Sequence, residues 1–317
     1  VAEKVLVTRE IPGEGLRLLE EFDTNVLSEE PPQRDELLKA AHGVVGVLSV
    51  LTEKMDAEFM DAAGGNLKVI ANFAVGYDNV DVAAAKERGI VVTNTPEVLN
   101  ETTADTTFML LLAAARRMGE AERFLRAGKY TAWGPKLLMG PDVWGKRLGI
   151  VGMGRIGQAV ARRARGFGME VFYHDQARSQ AAEDEYEARY LELAELLESC
   201  DFLTLHTPLT AQTRHLISTT ELQRMKPEAV LVNASRGPVV DEAALAEALQ
   251  SGEIFAAGLD VFENEPEVNP KLLELDNVVL LPHIGSASVE TRDKMAEVAA
   301  ENLRAVLHGE RPANPVG

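Results

Sequence analysis

Short runs of aliphatic and β-branched residues alternate with longer helix-like stretches from one end of the chain to the other, the pattern of parallel strands joined by helical crossovers. In the first third, Lys4 to Thr8, Val44 to Leu48, Leu67 to Ala71 and Ile90 to Thr93 read as strands. Arg34 to Ala41 and Val82 to Arg88 read as helices, the second stopping at Gly89, where a left-handed cap carries no Cβ penalty. A long helical stretch, Thr102 to Gly128, precedes a second alternation. That one opens on Arg147-Leu148-Gly149-Ile150-Val151 and continues through strands at Glu170 to Tyr173, Phe202 to Leu205, Ala229 to Val232, Ala256 to Leu259 and Val278 to Leu281. Asp241 heads a helix with an acidic first turn, as the helix dipole favours. A last helix, roughly Val289 to Leu307, can fold back on either half. The expected fold class is α/β, with two doubly wound parallel-sheet domains.

A chain of 317 residues, 46% of them apolar, can bury a large core, and its length suits two domains better than one. Its 32 basic and 50 acidic residues leave a net charge of −18. A field of that sign repels nucleic-acid phosphates and anionic membranes, so neither is expected as a partner. It also repels a small anionic ligand, so a site for one needs a local cluster of donors. The single cysteine, Cys200, excludes an internal disulfide framework and a multi-thiolate metal site, and no metal is expected. The most apolar run, Phe108 to Ala115, falls far short of the roughly 20 residues a spanning helix needs. The opening Val1-Ala2-Glu3-Lys4-Val5-Leu6-Val7 reads as a first strand rather than a signal peptide, and a cytoplasmic location is expected.

The strand at Arg147 to Val151 runs into Gly152-Met153-Gly154-Arg155-Ile156-Gly157 and a helix over Ile156 to Gly166. A dinucleotide turn needs its first glycine for tightness, its second for the approach of backbone to pyrophosphate, and its third for close packing of helix on strand. The amide end of the helix then faces the phosphates. The turn after the first strand, Arg9 to Gly13, lacks this spacing, which places the dinucleotide in the second half. Asp175, eighteen residues past Gly157 at the end of the next strand, is placed to bond the adenine-ribose hydroxyls and to repel a 2′-phosphate. NAD is the expected cofactor, with NADH preferred over NADPH, although Arg178 is close enough in sequence to blur that preference.

Three later strands each end in a loop that carries chemistry. Asn233-Ala234-Ser235-Arg236-Gly237 holds Arg236, Asp260-Val261-Phe262-Glu263-Asn264-Glu265-Pro266 holds Glu265, and Leu281-Pro282-His283-Ile284-Gly285 holds His283. Ligands of such sheets bind beyond the carboxyl ends of the strands, so these loops can converge on one crevice. Hydride transfer to a keto carbon leaves negative charge on its oxygen, which must be stabilised and then protonated. His283 is the candidate proton donor, because imidazole titrates near neutrality, and Glu265 on its other ring nitrogen favours the imidazolium form. Arg236 offers a permanently charged planar fork to the substrate carboxylate and carbonyl.

With these motifs the chain resembles the D-isomer-specific 2-hydroxyacid dehydrogenases over nearly its full length. Val75-Gly76-Tyr77-Asp78-Asn79-Val80-Asp81, Thr102-Thr103-Ala104-Asp105 and Thr131-Ala132-Trp133-Gly134-Pro135 are similar to the glyoxylate and hydroxypyruvate reductase branch. The resemblance implies a flavodoxin-like substrate domain over 1–99 plus 287–317, and a Rossmann domain over 100–286 that carries a dimerisation arm. It implies a homodimer that reduces glyoxylate or hydroxypyruvate to glycolate or D-glycerate. Beside the glycine loop, with Arg155 and Ile156, and Asp175, it implies that Thr103, His206, Pro208, Thr213, Ala234, Asp260 and Gly285 line the cofactor. It gives the substrate carboxylate to the amides of Val75 and Gly76, the side-chain pocket to Leu51, and the active site of the partner subunit to Trp133, alongside Arg236 and His283. Two other readings stay open: a related dehydrogenase acting on D-3-phosphoglycerate or D-lactate, and an NADH-sensing corepressor-like protein that binds without turnover.

Overall fold

The computed structural model describes residues 2–317, so Val1, at the head of the expected first strand and first domain, lies outside the described residues. The chain divides into two compact units, Val1–Leu99 with Ala287–Gly317, and Asn100–Ser286.

In the first unit, β1 (Lys4–Val7), β2 (Asp23–Val26), β3 (Gly46–Ser49), β4 (Val69–Asn72) and β5 (Val91–Thr93) alternate with α1 (Gly13–Arg17), α2 (Arg34–Ala40), α3 (Ala57–Ala63) and α4 (Val82–Glu87). The strands pair in parallel in the order β5-β4-β3-β1-β2. The inner strands are apolar and covered on both faces, as a parallel sheet requires. Asp56 and Asp81 cap α3 and α4 by accepting the amides of Phe59 and Ala84. The strand β2 escapes the apolar pattern because it is an edge, where Asp-Thr-Asn-Val faces water.

The second unit begins with α5 (Asn100–Ala115) and α6 (Met118–Arg126). The single helix expected over Thr102 to Gly128 is therefore two. Arg117 adopts a left-handed conformation, φ +52°, and its guanidinium turns forward onto the Glu120 carboxylate at 2.7 and 2.8 Å. A βα alternation follows: β6 (Arg147–Val151), α7 (Arg155–Gly166), β7 (Glu170–His174), α8 (Gln180–Tyr186), β8 (Arg189–Tyr190), α9 (Leu193–Ser199) and β9 (Phe202–Leu205). It ends with α10 (Thr219–Leu222), β10 (Val230–Asn233), α11 (Glu242–Ser251), β11 (Ala256–Leu259), α12 (Pro270–Leu273) and β12 (Val278–Leu280). All seven strands are parallel in the order β12-β11-β10-β9-β6-β7-β8. Successive strand residues serve opposite faces: Val230 and Val232 join the core shared with α5 and α7, while Leu231 joins the one shared with α9 and α11. Gly258 of β11 lets α5 lie close, since a Cβ there would stand 2.9 Å from that of Leu110.

The chain then returns to complete the first unit. The helix α13 (Val289–Leu307) packs on β3, β4 and α1, where a Cβ on Gly15 would meet that of Ala296 at 2.7 Å. A last strand, β13 (Pro315–Val316), adds an antiparallel edge beside β5, a place where proline is tolerated. Among the described residues no helix is long and apolar enough to cross a membrane, and no group of three His, Cys, Asp or Glu side chains could hold a metal ion.

Candidate active site

The strand β6 delivers the chain into Gly152, whose φ of +95° suits only glycine comfortably. A Cβ there would lie 2.8 Å from the His206 backbone, and one on Gly157 would lie 2.2 Å from the Gly152 carbonyl oxygen. Gly154, at the N-cap of α7, has nothing within 4 Å of where its Cβ would be. Packing of protein on protein thus requires the outer glycines, while the middle one keeps a space clear over the amide end of the helix. The chain fits a dinucleotide pyrophosphate here. Asp175 stands beside the turn, its Oδ2 accepting the Met153 amide at 2.8 Å and its Oδ1 the Gln176 amide at 2.7 Å. Arg155 is exposed and Ile156 half-buried at the start of α7.

His206 follows β9. Burial of its ring lowers the imidazole to about 4, so it is neutral, and its Nε2 is closed to solvent with no partner among the described residues. Thr213 shapes the loop beyond it, its hydroxyl donating to the Pro208 carbonyl at 2.6 Å and accepting the Thr210 amide at 2.8 Å. That hydroxyl is engaged within its own loop.

Arg236, Glu265 and His283 come from the loops after β10, β11 and β12, three neighbouring strands. His283 Nδ1 bonds Glu265 Oε2 at 2.8 Å, and Glu265 Oε1 accepts the Phe262 amide at 2.9 Å. Both side chains are about one-quarter exposed, 26% and 24%. Burial raises the Glu265 carboxyl, but the hydrogen bond and charge of His283, the Phe262 amide and the Arg236 charge together hold it below the usual range. His283 has a φ of +54°, a conformation that non-glycine residues adopt at a cost. Asp260 stabilises it from behind: its two carboxylate oxygens accept the Ile284 and Gly285 amides, both at 2.7 Å. Thr103 is buried next to Gly285, so Thr103, Asp260 and Gly285 do come together.

Three residues of this site carry roles that the sequence did not reveal. Asn233, buried at the end of β10, bonds forward to Ser235 at 2.8 Å and to the Arg236 carbonyl at 2.9 Å, bending Ala234 to Arg236 into a turn. Its residue type, at a strand end, was the available signal. Gly237 brings that turn against the Glu265 loop, since a Cβ there would fall 1.8 Å from the Phe262 carbonyl oxygen. Glu242, at the start of α11, is only 5% exposed and accepts the amides of Glu263 and Asn269 on either side of Glu265. An acidic helix start gives no hint that its side chain is buried.

In the first unit, Leu51 follows β3, and Val75 and Gly76 follow β4. Asn79 Nδ2 donates to the Val50 and Glu53 carbonyls at 3.1 and 3.0 Å, and pairs with Asn72, which in turn donates to the Gly76 carbonyl at 2.9 Å. The Val75 carbonyl accepts from Asn94 at 2.8 Å. Because a trans peptide points its N–H opposite its C=O, this anchor turns the Gly76 amide away from Asn94. Trp133 is 78% exposed, so it is not packed into the site of Arg236, Glu265 and His283 in its own chain.

Residues 108–285 match the family described as D-isomer specific 2-hydroxyacid dehydrogenase, NAD binding domain. A glyoxylate reductase of Korarchaeum cryptofilum is 53% identical over 317 residues, covering 99% of this chain and 95% of that one. The chain belongs to the D-isomer-specific 2-hydroxyacid dehydrogenases. The crystal structure of the TT0316 protein from Thermus thermophilus matches this dehydrogenase with a TM-score of 0.94 at 49% identity, covering 99% of this chain and 100% of that one. An NADPH-dependent glyoxylate/hydroxypyruvate reductase from Sinorhizobium meliloti, solved with NADP and malonate, matches with a TM-score of 0.86 at 39% identity, covering 100% and 97%. Like its relatives, this dehydrogenase is an oxidoreductase that uses a nicotinamide cofactor.

Proposed function

We propose that this dehydrogenase reduces glyoxylate or hydroxypyruvate, prefers NADH and works as a homodimer. The observation that carries the reaction is the hydrogen-bonded Glu265 and His283 pair, one strand away from Arg236 at the carboxyl edge of the sheet. A bound reduced nicotinamide supplies a hydride to the keto carbon. Arg236 holds the substrate carboxylate and draws charge toward the carbonyl oxygen. As the carbonyl electron pair moves onto that oxygen, His283 delivers a proton to it from Nε2 and so completes the hydroxyl. Glu265 keeps Nδ1 engaged and balances the imidazolium charge until the transfer. In the first unit, the Val75 and Gly76 amides are donors suited to a carboxylate, and Leu51 is suited to a short side chain. The narrower substrate choice rests on relatives named glyoxylate reductase.

The NADH preference rests on Asp175, whose charge opposes a 2′-phosphate. The homodimer rests on an apolar face of the second unit. Met109 and Met118 of that face are 45 and 60% exposed, and the same unit exposes Leu125, Trp133 and Trp144 at 63 to 78%. A groove of about 690 Å³, lined by Phe108, Leu112 and Phe167, opens beside Met109 and Met118. Such a face on an otherwise acidic chain suits a second copy of itself.

Initial rates with glyoxylate, hydroxypyruvate, pyruvate and phosphohydroxypyruvate, each with NADH and NADPH, test the reading. The highest kcat/KM is expected for one of the first two with NADH. A preference for pyruvate or phosphohydroxypyruvate would assign the chain to another activity of the family, and tight NADH binding without turnover would make it a binding protein. His283→Ala is expected to lower kcat by about 10²- to 10⁴-fold.

A further inference from the structure

Arg178 lies three residues past Asp175 in the turn between β7 and α8, and it is the only Lys or Arg between Asp175 and Glu183. A cation there is of the type that binds a 2′-phosphate on an adenine ribose. Its guanidinium, however, is already committed. Nε donates to Glu183 Oε1 at 2.9 Å and a terminal nitrogen donates to Oε2 at 2.8 Å, the bidentate arrangement of an arginine on a carboxylate. Glu183 is itself anchored, because its Oε1 also accepts the Tyr173 hydroxyl at 2.8 Å. The same hydroxyl oxygen accepts the Ser179 amide at 2.7 Å, and the Tyr173 residue is 0% exposed, so the anchor belongs to the core. The guanidinium carbon lies 6.0 Å from the centre of the Tyr190 ring, a second hold on the same side chain.

We propose that Glu183 is a cofactor-specificity residue: by clamping Arg178 it withholds the cation of this turn from a 2′-phosphate and leaves Asp175 to exclude NADPH. An exposed ion pair by itself holds little. This one is asymmetric, with Arg178 68% exposed but Glu183 only 15%. Drawing Arg178 onto a phosphate would leave a sheltered carboxylate without its cation, close to a new dianion. Both costs fall on NADPH and neither on NADH. The inference rests on the reading that Asp175 marks the adenine ribose and that NADH is preferred.

The test is binding without substrate: dissociation constants of NADH and NADPH, two ligands that differ only in the 2′-phosphate, from tryptophan fluorescence. Glu183→Gln keeps the side-chain shape and weakens the clamp. It is expected to tighten NADPH by roughly tenfold, the effect of one charge-assisted contact, while NADH stays within about twofold. The gain should vanish in Glu183→Gln with Arg178→Gln. It should also be absent in Asp184→Asn, which removes the same charge one residue away. An unchanged NADPH-to-NADH ratio in Glu183→Gln, with a wild type that prefers NADH, would overturn the clamp alone. So would an equal gain in Asp184→Asn. A wild type that binds NADPH more tightly would overturn the cofactor reading and the clamp with it.

Discussion

Burial raises three carboxylates near the candidate catalytic loops, yet they end in different states, because each faces different partners. Asp260 and Glu242 are pushed up by burial despite the amides they accept. Glu265 is held down because His283, the Phe262 amide and Arg236 outweigh its burial. A carboxylate that is lower in the folded than in the unfolded chain binds protons less readily when folded. Its stabilising contribution is complete above the ordinary carboxylate range and is lost as pH falls through the lowered value. Glu265→Gln is therefore expected to cost roughly 1–3 kcal/mol at neutral pH. That cost should shrink as pH falls below the ordinary carboxylate range, read as the gap between wild-type and variant melting temperatures across a pH series. A gap independent of pH would mean that the Glu265 charge is not stabilised in the folded protein. At this scale the sequence revealed residue types well. Arg236, Glu265 and His283 stood out because each follows a strand and carries a chemistry the others lack. Asn233 and Glu242 did not stand out, because their part in the site comes from burial and from the amides they accept.

Among the elements, the glycine turn was the most legible, since its spacing is a local property. The structure separates its three glycines by what each makes room for. Gly157→Ala would place a methyl 2.2 Å from a backbone oxygen that cannot retreat. It is expected to lower the melting temperature by about 5 °C or more and to weaken NADH binding. Gly154 has a φ of −75°, ordinary for alanine, and open space at its Cβ. Gly154→Ala is expected to leave the melting temperature within about 2 °C and to weaken NADH at least tenfold, because the methyl enters the space kept for phosphate. Equal losses of thermal stability in the two variants would contradict this division. Helix ends were harder to read. The apolar pattern runs on past Ala115, yet the helix stops there, with Arg117 in a left-handed conformation between α5 and α6 and its side chain paired with Glu120. Edge strands were missed for a related reason: β2, β8 and β13 are short and partly exposed, so no apolar period marks them.

For the molecule as a whole, a net charge of −18 and an exposed apolar face make opposite demands, and the proposed homodimer meets both by covering the face and leaving the charge outside. Sedimentation at micromolar concentration is expected to give twice the 34.5 kDa of one chain. Met109→Glu, at a side chain 45% exposed in one chain, should shift that mass toward the monomer without lowering helix content. A monomeric wild type would remove the dimer from the proposal. By itself, the sequence determined the alternation of elements, the half that carries the glycine turn and the residue types at the ends of β10, β11 and β12. Period, glycine spacing and side-chain chemistry can all be read within a short window of chain. Only the tertiary structure decided that β10, β11 and β12 are neighbours, that α13 lies on β3, β4 and α1 within the first unit, where the resemblance had assigned it, and that Arg178 is held by Glu183. Strand order, helix docking and the pairing of charges are settled by packing and by competition among all the partners the fold brings within reach, and no short window of sequence contains that competition.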